Sequence, residues 1–384
     1  MTERLYYTDC YLRGFDARVI DTSDSGRRVY LDRTAFYPTS GGQLFDLGTL
    51  GGVAVAEVVD EEDRVAHLLA EPLRTENVLG EIDWVRRYDF MQQHTGQHLL
   101  SAVLEALFNF KTASVHMGVA SNTVDIEAAA VTEEQLERTE QRCLQIIAEA
   151  RPIAVTFEDA TTTQGLRKES SRTGTLRIVS IDGIDRSACG GTHVRNSAEI
   201  GLVVTGKTEK IRGITRIEFA CGGRALARAR RDNRALASMA NVLSTAPEQV
   251  QGRVKDLVEQ NKSTEKERLR LATELARREG QELYLATDPD DAGFRRVKTS
   301  GPIDETTRTR AQAFVASGKA LFLAISNEPP AVLFAASRDS GVHAGDRLKA
   351  ALAEAGGKGG GNQSIAQGSA PDTIALKKIV EALF

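Results

Sequence analysis

Two short motifs far apart in the chain constrain it more than anything else: His94-Thr95-Gly96-Gln97-His98 and Cys189-Gly190-Gly191-Thr192-His193. Each sets two metal-binding side chains four residues apart. On a helix, positions i and i+4 lie on one face, so a single ion can touch both. The whole sequence has six histidines and four cysteines, and these motifs take three and one of them. Three imidazoles and one thiolate suit zinc, which takes N and S ligands in a tetrahedron. Read alone, each half has a plainer explanation: a solvated histidine pair, or a glycine turn beside a buried thiol. Read together they predict one Zn2+ site built from His94, His98, Cys189 and His193. A His-Glu-x-x-His metalloprotease does not fit, because Thr95 stands where its carboxylate base belongs.

The 384 residues are enough for two or three domains with cores of their own. No run of apolar residues is long enough for a membrane helix, and the N-terminus lacks a signal peptide's apolar stretch. Four scattered cysteines do not form a disulfide framework, so a cytoplasmic protein is expected. The net charge of −4 rules out a generally basic nucleic-acid binder. Charge is uneven, though. Residues 1–90 carry 10 Lys+Arg against 17 Asp+Glu, and residues 222–285 carry 13 against 9. Contact with nucleic acid must therefore come from local patches.

An α+β chain of four parts is predicted. Residues 1–88 read as short strands broken at Ser40-Gly41-Gly42, Gly48 and Gly51-Gly52, a small β-barrel-like module. Alternation is visible in Tyr30 to Tyr37 and in Val53 to Val59. Residues 89–224 form a mixed domain that carries both motifs. Its first helix bears His94 and His98, a second runs through 132–150 from an N-cap at Thr132, and strands follow at 152–157, 175–180, 200–206 and 214–220. Residues 225–283 form a polar helical or coiled linker, with Pro247 starting its longer helix. Residues 284–384 alternate strands and helices around a loop from Gly356 to Gln363. That loop lacks the spacing of a nucleotide P-loop.

Taken in order, the segments resemble a known family. Thr34 to Gln43, with Asp46 and Gly48 behind it, resembles the glycine-rich module that precedes the editing site of alanyl-tRNA synthetases. Gln93 to Leu100 and Asp185 to His193 resemble that family's two zinc motifs, and Gly356 to Gln363 resembles its C-terminal domain, shared with DHH-type phosphoesterases. The chain starts where the aminoacylation and tRNA-recognition domains of a synthetase end, so it is similar to the freestanding long-form trans-editing proteins called AlaX. The resemblance implies a hydrolase that deacylates mischarged tRNA(Ala), chiefly the seryl ester and secondly the glycyl one, with tRNA(Ala) as partner. Monomer and dimer both remain open.

Gln97, Thr192, Gln43 and Arg216 are the candidates for the chemistry. Gln97 stands where the synthetases often have Thr. Thr39, Ser40, Gly41 and Gly42 are candidates for substrate contact. Lys210 and Arg212, which share a face with Arg216 if that stretch is one strand, are candidates for phosphate contact. The resemblance adds Lys358, Gly360, Gly361 and Asn362 for gripping tRNA. Three rival readings stand beside this one: editing of Ser-tRNA(Thr), a non-catalytic tRNA-binding protein with a structural zinc, and a phosphoesterase. The last lacks the aspartate- and histidine-rich metal motifs of such enzymes.

Overall fold

A computed structural model describes residues 1–384, which form two compact units, Met1–Ser238 and Met239–Phe384. The fold is mixed α+β. In the first unit a short β1 (Glu3–Arg4) pairs in parallel with β4 (Arg33–Thr34). The remaining early strands are β2 (Gly14–Ser23), β3 (Arg28–Leu31), β5 (Gly48–Leu50), β6 (Val53–Glu61), β7 (Arg64–Leu69) and β8 (Asn77–Ile82). They close a barrel in the order β2-β3-β7-β6-β5-β8. Alternation drives this closure: Val78, Gly80 and Ile82 point inward from β8 while Asn77, Leu79 and Glu81 point out. Gly80 is required there, since a Cβ would lie 2.4 Å from the Phe15 ring.

The Tyr30 to Tyr37 run is not one strand. It breaks into β3 and β4, and Ala35, Phe36 and Tyr37 are all buried rather than alternating. Their backbone turns away to serve the helix that follows the barrel, α1 (Trp84–Phe108). Asp83 caps that helix by accepting from Arg86 N, and Asn109 ends it in the left-handed region at φ 57°.

Around α1 lie β9 (Thr112–Met117), β10 (Asn122–Ile126), α2 (Glu133–Ala148), β11 (Ile153–Asp159), β12 (Thr175–Ile181), β13 (Asp185–Ala188), β14 (Val203–Ile211) and β15 (Ile214–Cys221). They make two antiparallel sheets, β14-β15-β10-β9 and β11-β12-β13. Thr132 caps α2 in a capping box with Gln135. Leu99, Leu100, Val103, Ile126, Ile217 and Phe219 share the core. α1 sits so close to β15 that a Cβ on Gly96 would lie 2.2 Å from Cys221 Sγ.

Lys210, Arg212 and Arg216 do not share one strand. A tight turn at Arg212 (φ 44°) and Gly213 (φ 92°) separates β14 from β15. Arg216 therefore sits on the returning strand, opposite Glu209. Two consecutive positive φ values make this a hairpin turn, which is why the basic run folds back on itself.

α3 (Gly222–Val242) follows the last strand of the first unit. The second unit contains α4 (Val250–Ala286), β16 (Arg295–Ser300), α5 (Glu305–Ala316), β17 (Ala320–Asn327), β18 (Pro330–Ala336), α6 (Ala344–Glu354), β19 (Lys358–Gly361), β20 (Ile365–Ser369) and α7 (Thr373–Leu383). Its sheet runs β16-β17-β18-β20-β19. Phe322 and Ala324 face α5 residues such as Phe314, while Leu321 and Leu323 face Leu348 and Ile379 on the other side. The glycine-rich stretch is an edge strand rather than a loop. Gly359 and Gly361 pack so tightly on β20 that a Cβ would lie 2.4 Å from Gln367 O and 2.3 Å from Ala366 Cα. Asn362 then turns the chain, accepting from Ser364 N and Ile365 N. No helix is long and apolar enough to cross a membrane.

The barrel is locked to α1 by a fully buried ion pair, Arg87 with Asp46. Arg87 also donates to the carbonyls of Cys10 (2.9 Å) and Ala35. Removing one partner leaves the other charge buried and unpaired. Asp46→Ala is therefore expected to destabilise the fold by about 3–5 kcal/mol, read by urea denaturation.

Candidate metal centre

The two motifs meet. His94 and His98 lie on one face of α1, buried at 3% and 5% exposure, and Cys189 to His193 follow β13 as a turn against that face. Cys189 Sγ is 3.4 Å from His94 Nε2 and 3.3 Å from His193 Nε2. With His98, all four donor atoms lie within 4.8 Å of one another. Donors about 2.0–2.3 Å from a tetrahedral zinc sit about 3.3–3.6 Å apart, the spacing of Cys189 Sγ from His94 and His193. The close approach demands a glycine: a Cβ on Gly191 would be 2.1 Å from His94 Cε1.

Each imidazole presents Nε2 to the cluster because its Nδ1 is held from behind. His94 Nδ1 meets Gln43 Oε1 at 2.9 Å, His98 Nδ1 meets Asp185 Oδ2 at 2.8 Å, and His193 Nδ1 meets Thr95 Oγ1 at 3.2 Å. Partners of this kind fix the tautomer and the ring orientation of metal-binding histidines. Asp185 is itself held by Ser187 Oγ and by Arg167 Nε at 2.6 Å. Burial opposes its ionisation, yet His98 and Arg167 hold the carboxyl down at about 2. Burial likewise lowers His98, but Asp185 and Cys189 raise it to about 9. His193 goes the other way: burial and the neighbouring His94 push it down to about 3.

The cysteines divide the same way. All four are free. Burial pushes Cys10, Cys143 and Cys221 up, Cys143 to about 12. Burial acts on Cys189 too, but His94 and His193 outweigh it and bring the thiol well below its ordinary value. A thiolate is the form that binds metal.

The glycine-rich turn explains Gln43. Ser40 and Gln43 exchange backbone hydrogen bonds, both 3.0 Å, across Gly41 and Gly42, which have φ of 56° and 88°. Only glycine takes two such residues readily. The turn aims a fully buried Gln43 at the cluster, where Oε1 accepts from His94 and Thr192 N and Nε2 donates to Thr192 Oγ1 at 2.8 Å. Gln43 and Thr192 thus stand behind the donors.

A cleft of about 470 Å³ opens onto the donors, and Gln97, Ser40 and Gly41 line it together with His94, His98 and Cys189. Gln97 Nε2 donates to Ser101 Oγ at 2.8 Å. Thr39 and Gly42 do not line the cleft: Thr39 Oγ1 accepts from Phe45 N, and Gly42 lies against Val115 O. Arg216 is also outside it, paired with Asp125 at 2.7 Å, while Asp125 accepts from the cleft residue Ser114. Lys210 and Arg212 lie at the β14–β15 hairpin end. Lys358, Gly360, Gly361 and Asn362 belong to the second unit. Thr95, Arg167 and Arg177 were not foreseen, and Asp185 was noted only as the start of a motif. Its place four residues before Cys189 was the one available signal.

Asp185→Asn is expected to weaken zinc binding about 10–100-fold, measured by competition with a chromophoric chelator.

Residues 176–218, which include Cys189 and His193, match the family model described as threonyl and alanyl tRNA synthetase second additional domain. The chain is 31% identical over 387 residues to alanyl-tRNA editing protein AlaX-L of Pyrococcus horikoshii, covering 96% of this chain and 94% of that one. It is 29% identical over 386 residues to alanyl-tRNA editing protein Aarsd1 of Mus musculus, covering 94% and 92%. It is also 32% identical over 401 residues to the alanine–tRNA ligase of Halorubrum lacusprofundi, covering 99% of this chain but 43% of the ligase. With end-to-end similarity of this order, and with the donor cluster inside the matched region, the chain belongs to the family of alanyl-tRNA editing proteins.

Proposed function

We propose that this chain is an aminoacyl-tRNA deacylase of the cytoplasm that hydrolyses mischarged tRNA(Ala), chiefly Ser-tRNA(Ala), with Gly-tRNA(Ala) as the second substrate. The observation that carries the reading is the convergence of His94, His98, Cys189 and His193, each histidine braced from behind, at the floor of a polar cleft. Membership in a family whose relatives are named alanyl-tRNA editing proteins supports the substrate.

His94, His98, Cys189 and His193 would hold one Zn2+. When bound, that ion supplies positive charge and a fixed geometry; with four protein donors its shell is closed, which favours organisation over direct attack on the ester. The selective work then falls to the cleft's own polar groups. Serine differs from alanine by one hydroxyl, and an apolar pocket rejects such an analogue by only about 10²-fold. Size exclusion cannot help, because the amino acid to be spared is the smaller one. A buried polar group that pairs with the hydroxyl, and is left unpaired by alanine, gives the needed preference. Gln97 is suited to this: Ser101 fixes its amide nitrogen, and its carbonyl oxygen has no partner within the chain. Ser40 and Gly41 supply further polar edges beside it. Gln43 and Thr192 act indirectly, by orienting His94 and the Cys189 turn. Arg216 acts, on this reading, through Asp125 and Ser114 on the cleft wall. Lys210, Arg212 and the edge strand with Lys358, Gly360, Gly361 and Asn362 offer positions for tRNA contact.

Hydrolysis of Ser-tRNA(Ala), Ala-tRNA(Ala) and Ser-tRNA(Thr) by wild type and Cys189→Ala, with zinc content measured in each, tests the proposal. Fast loss of serine from tRNA(Ala) alone, abolished with the cysteine, is expected. The tRNA(Thr) arm matters because the matched model spans both synthetases. Preference for Ser-tRNA(Thr), or zinc without selective deacylation, would overturn the reading.

A further inference from the structure

Arg177, on β12, is a charged residue left only 8% exposed, and no carboxylate pairs with it. Every acceptor it touches is neutral in the ordinary form. Nε donates to Tyr7 O at 3.0 Å, and Nη1 donates to Cys189 O at 2.7 Å and Gly191 O at 2.9 Å. Nη2 lies 3.9 Å from Cys10 Sγ. The main chain of the same residue accepts from Cys189 N at 3.0 Å. Arg177 therefore grips the Cys189–Gly191 turn by backbone and side chain together. The other deeply buried arginine of this unit, Arg87, has Asp46 to neutralise it. Burying a guanidinium without an anion is costly, and three backbone carbonyls, two of them on the Cys189 turn, are what satisfy it here.

We propose that Arg177 is a positioning residue for the metal centre, holding the Cys189 turn so that the cysteine sulfur reaches the coordination shell. The peptide geometry shows how. The guanidinium fixes the carbonyls of Cys189 and Gly191, which settles the peptides on either side of the one between them. That middle peptide then points Gly191 N at Cys189 Sγ, 3.4 Å away. The peptide after Gly191 points Thr192 N at Gln43 Oε1, the same oxygen that meets His94 Nδ1. One side chain thus sets two of the four donors. Tyr7 extends the grip to the N-terminal segment, with its ring 5.5 Å from the guanidinium carbon. The inference rests on the reading that the cluster holds a metal ion.

Full-length wild type, Arg177→Met, Arg177→Lys and Cys189→Ala are titrated with Co2+ as the spectroscopic probe, and zinc affinity is measured by chelator competition. Wild type is expected to show both cobalt ligand-field bands and a thiolate-to-cobalt charge-transfer band. Arg177→Met is expected to keep the former, lose most of the latter, and bind zinc about 10–100-fold more weakly. Arg177→Lys keeps the charge but cannot span the carbonyls, so its charge-transfer band and zinc affinity should fall between the two. A merely structural arginine would lower thermal stability without changing which atoms reach the metal. If Arg177→Met fails to fold, the lysine variant decides: an intermediate band supports the proposal. A full charge-transfer band and unchanged zinc affinity in either variant overturns it. A wild-type chain that binds no cobalt overturns the metal reading itself and this inference with it, an outcome separable from the first because it precedes any substitution.

Discussion

The buried pair of Arg87 and Asp46 is the constraint on which the site depends. Asp46 does more than neutralise Arg87: its Oδ2 accepts from Tyr37 N at 2.6 Å, and its own N–H donates to Tyr37 O at 2.9 Å. These bonds close the segment from Tyr37 to Asp46 into a loop whose base is tied to α1 one turn or two before His94. Within that closed loop the Gly41–Gly42 turn can aim Gln43 in only one direction. A barrel module and a helix with no other obvious reason to share a site are thereby brought into register. The several kcal/mol that such a pair typically costs to desolvate is offset only because carbonyls of Cys10 and Ala35 complete the guanidinium's hydrogen bonds.

From that anchor the cluster is assembled out of separate pieces of chain. The outer partners of the three histidines come from the barrel turn (Gln43), from α1 itself (Thr95) and from β13 (Asp185). Asp185 is tied in turn to Arg167, in the irregular stretch before β12 that also borders the cleft. The irregular stretch that borders the cleft and the histidine at its floor are therefore joined through one carboxylate. A disturbance in any of the three pieces rotates one imidazole, and a tetrahedral set tolerates little rotation before a donor is lost.

His94 and His98 were legible in the sequence because four residues on a helix is one face, whereas Cys189 and His193 sit on a glycine turn, where the residue types and not a helical face are the signal. The donors' supporting residues were not legible, because glutamine, threonine and arginine are ordinary residues whose meaning here comes from contacts far apart in the chain, 149 positions between Gln43 and Thr192 and 170 between Tyr7 and Arg177. The strands β9 and β10 are short, and although Thr112–Met117 alternates polar with apolar residues, six residues of alternation are a weak signal beside a long helical stripe. The Lys358–Gly361 stretch misled for the opposite reason. Glycine signals conformational freedom, but here it is used for close packing against a neighbouring strand, which composition alone does not distinguish from a loop. The hairpin at Arg212–Gly213 was hidden inside a basic run, since arginine is a poor marker for positive φ.

On the proposed reading, four protein donors would leave discrimination to groups that do not touch the ion, and Gln97 is one such group on α1. Ser101, one turn further along α1, accepts from Gln97 Nε2 and also from Thr112 Oγ1 on β9, both at 2.8 Å. Two donors on one hydroxyl oxygen fill its acceptor capacity and fix the Gln97 amide nitrogen against Ser101. The amide nitrogen is thus held at Ser101, and Gln97 lines the cleft. An outward acceptor pairs with a substrate hydroxyl and gains nothing from a methyl group. On the proposed reading, the preference for serine over alanine is set by Gln97 and the Ser101 hydroxyl that holds it, between the two α1 histidines that would help to carry the ion.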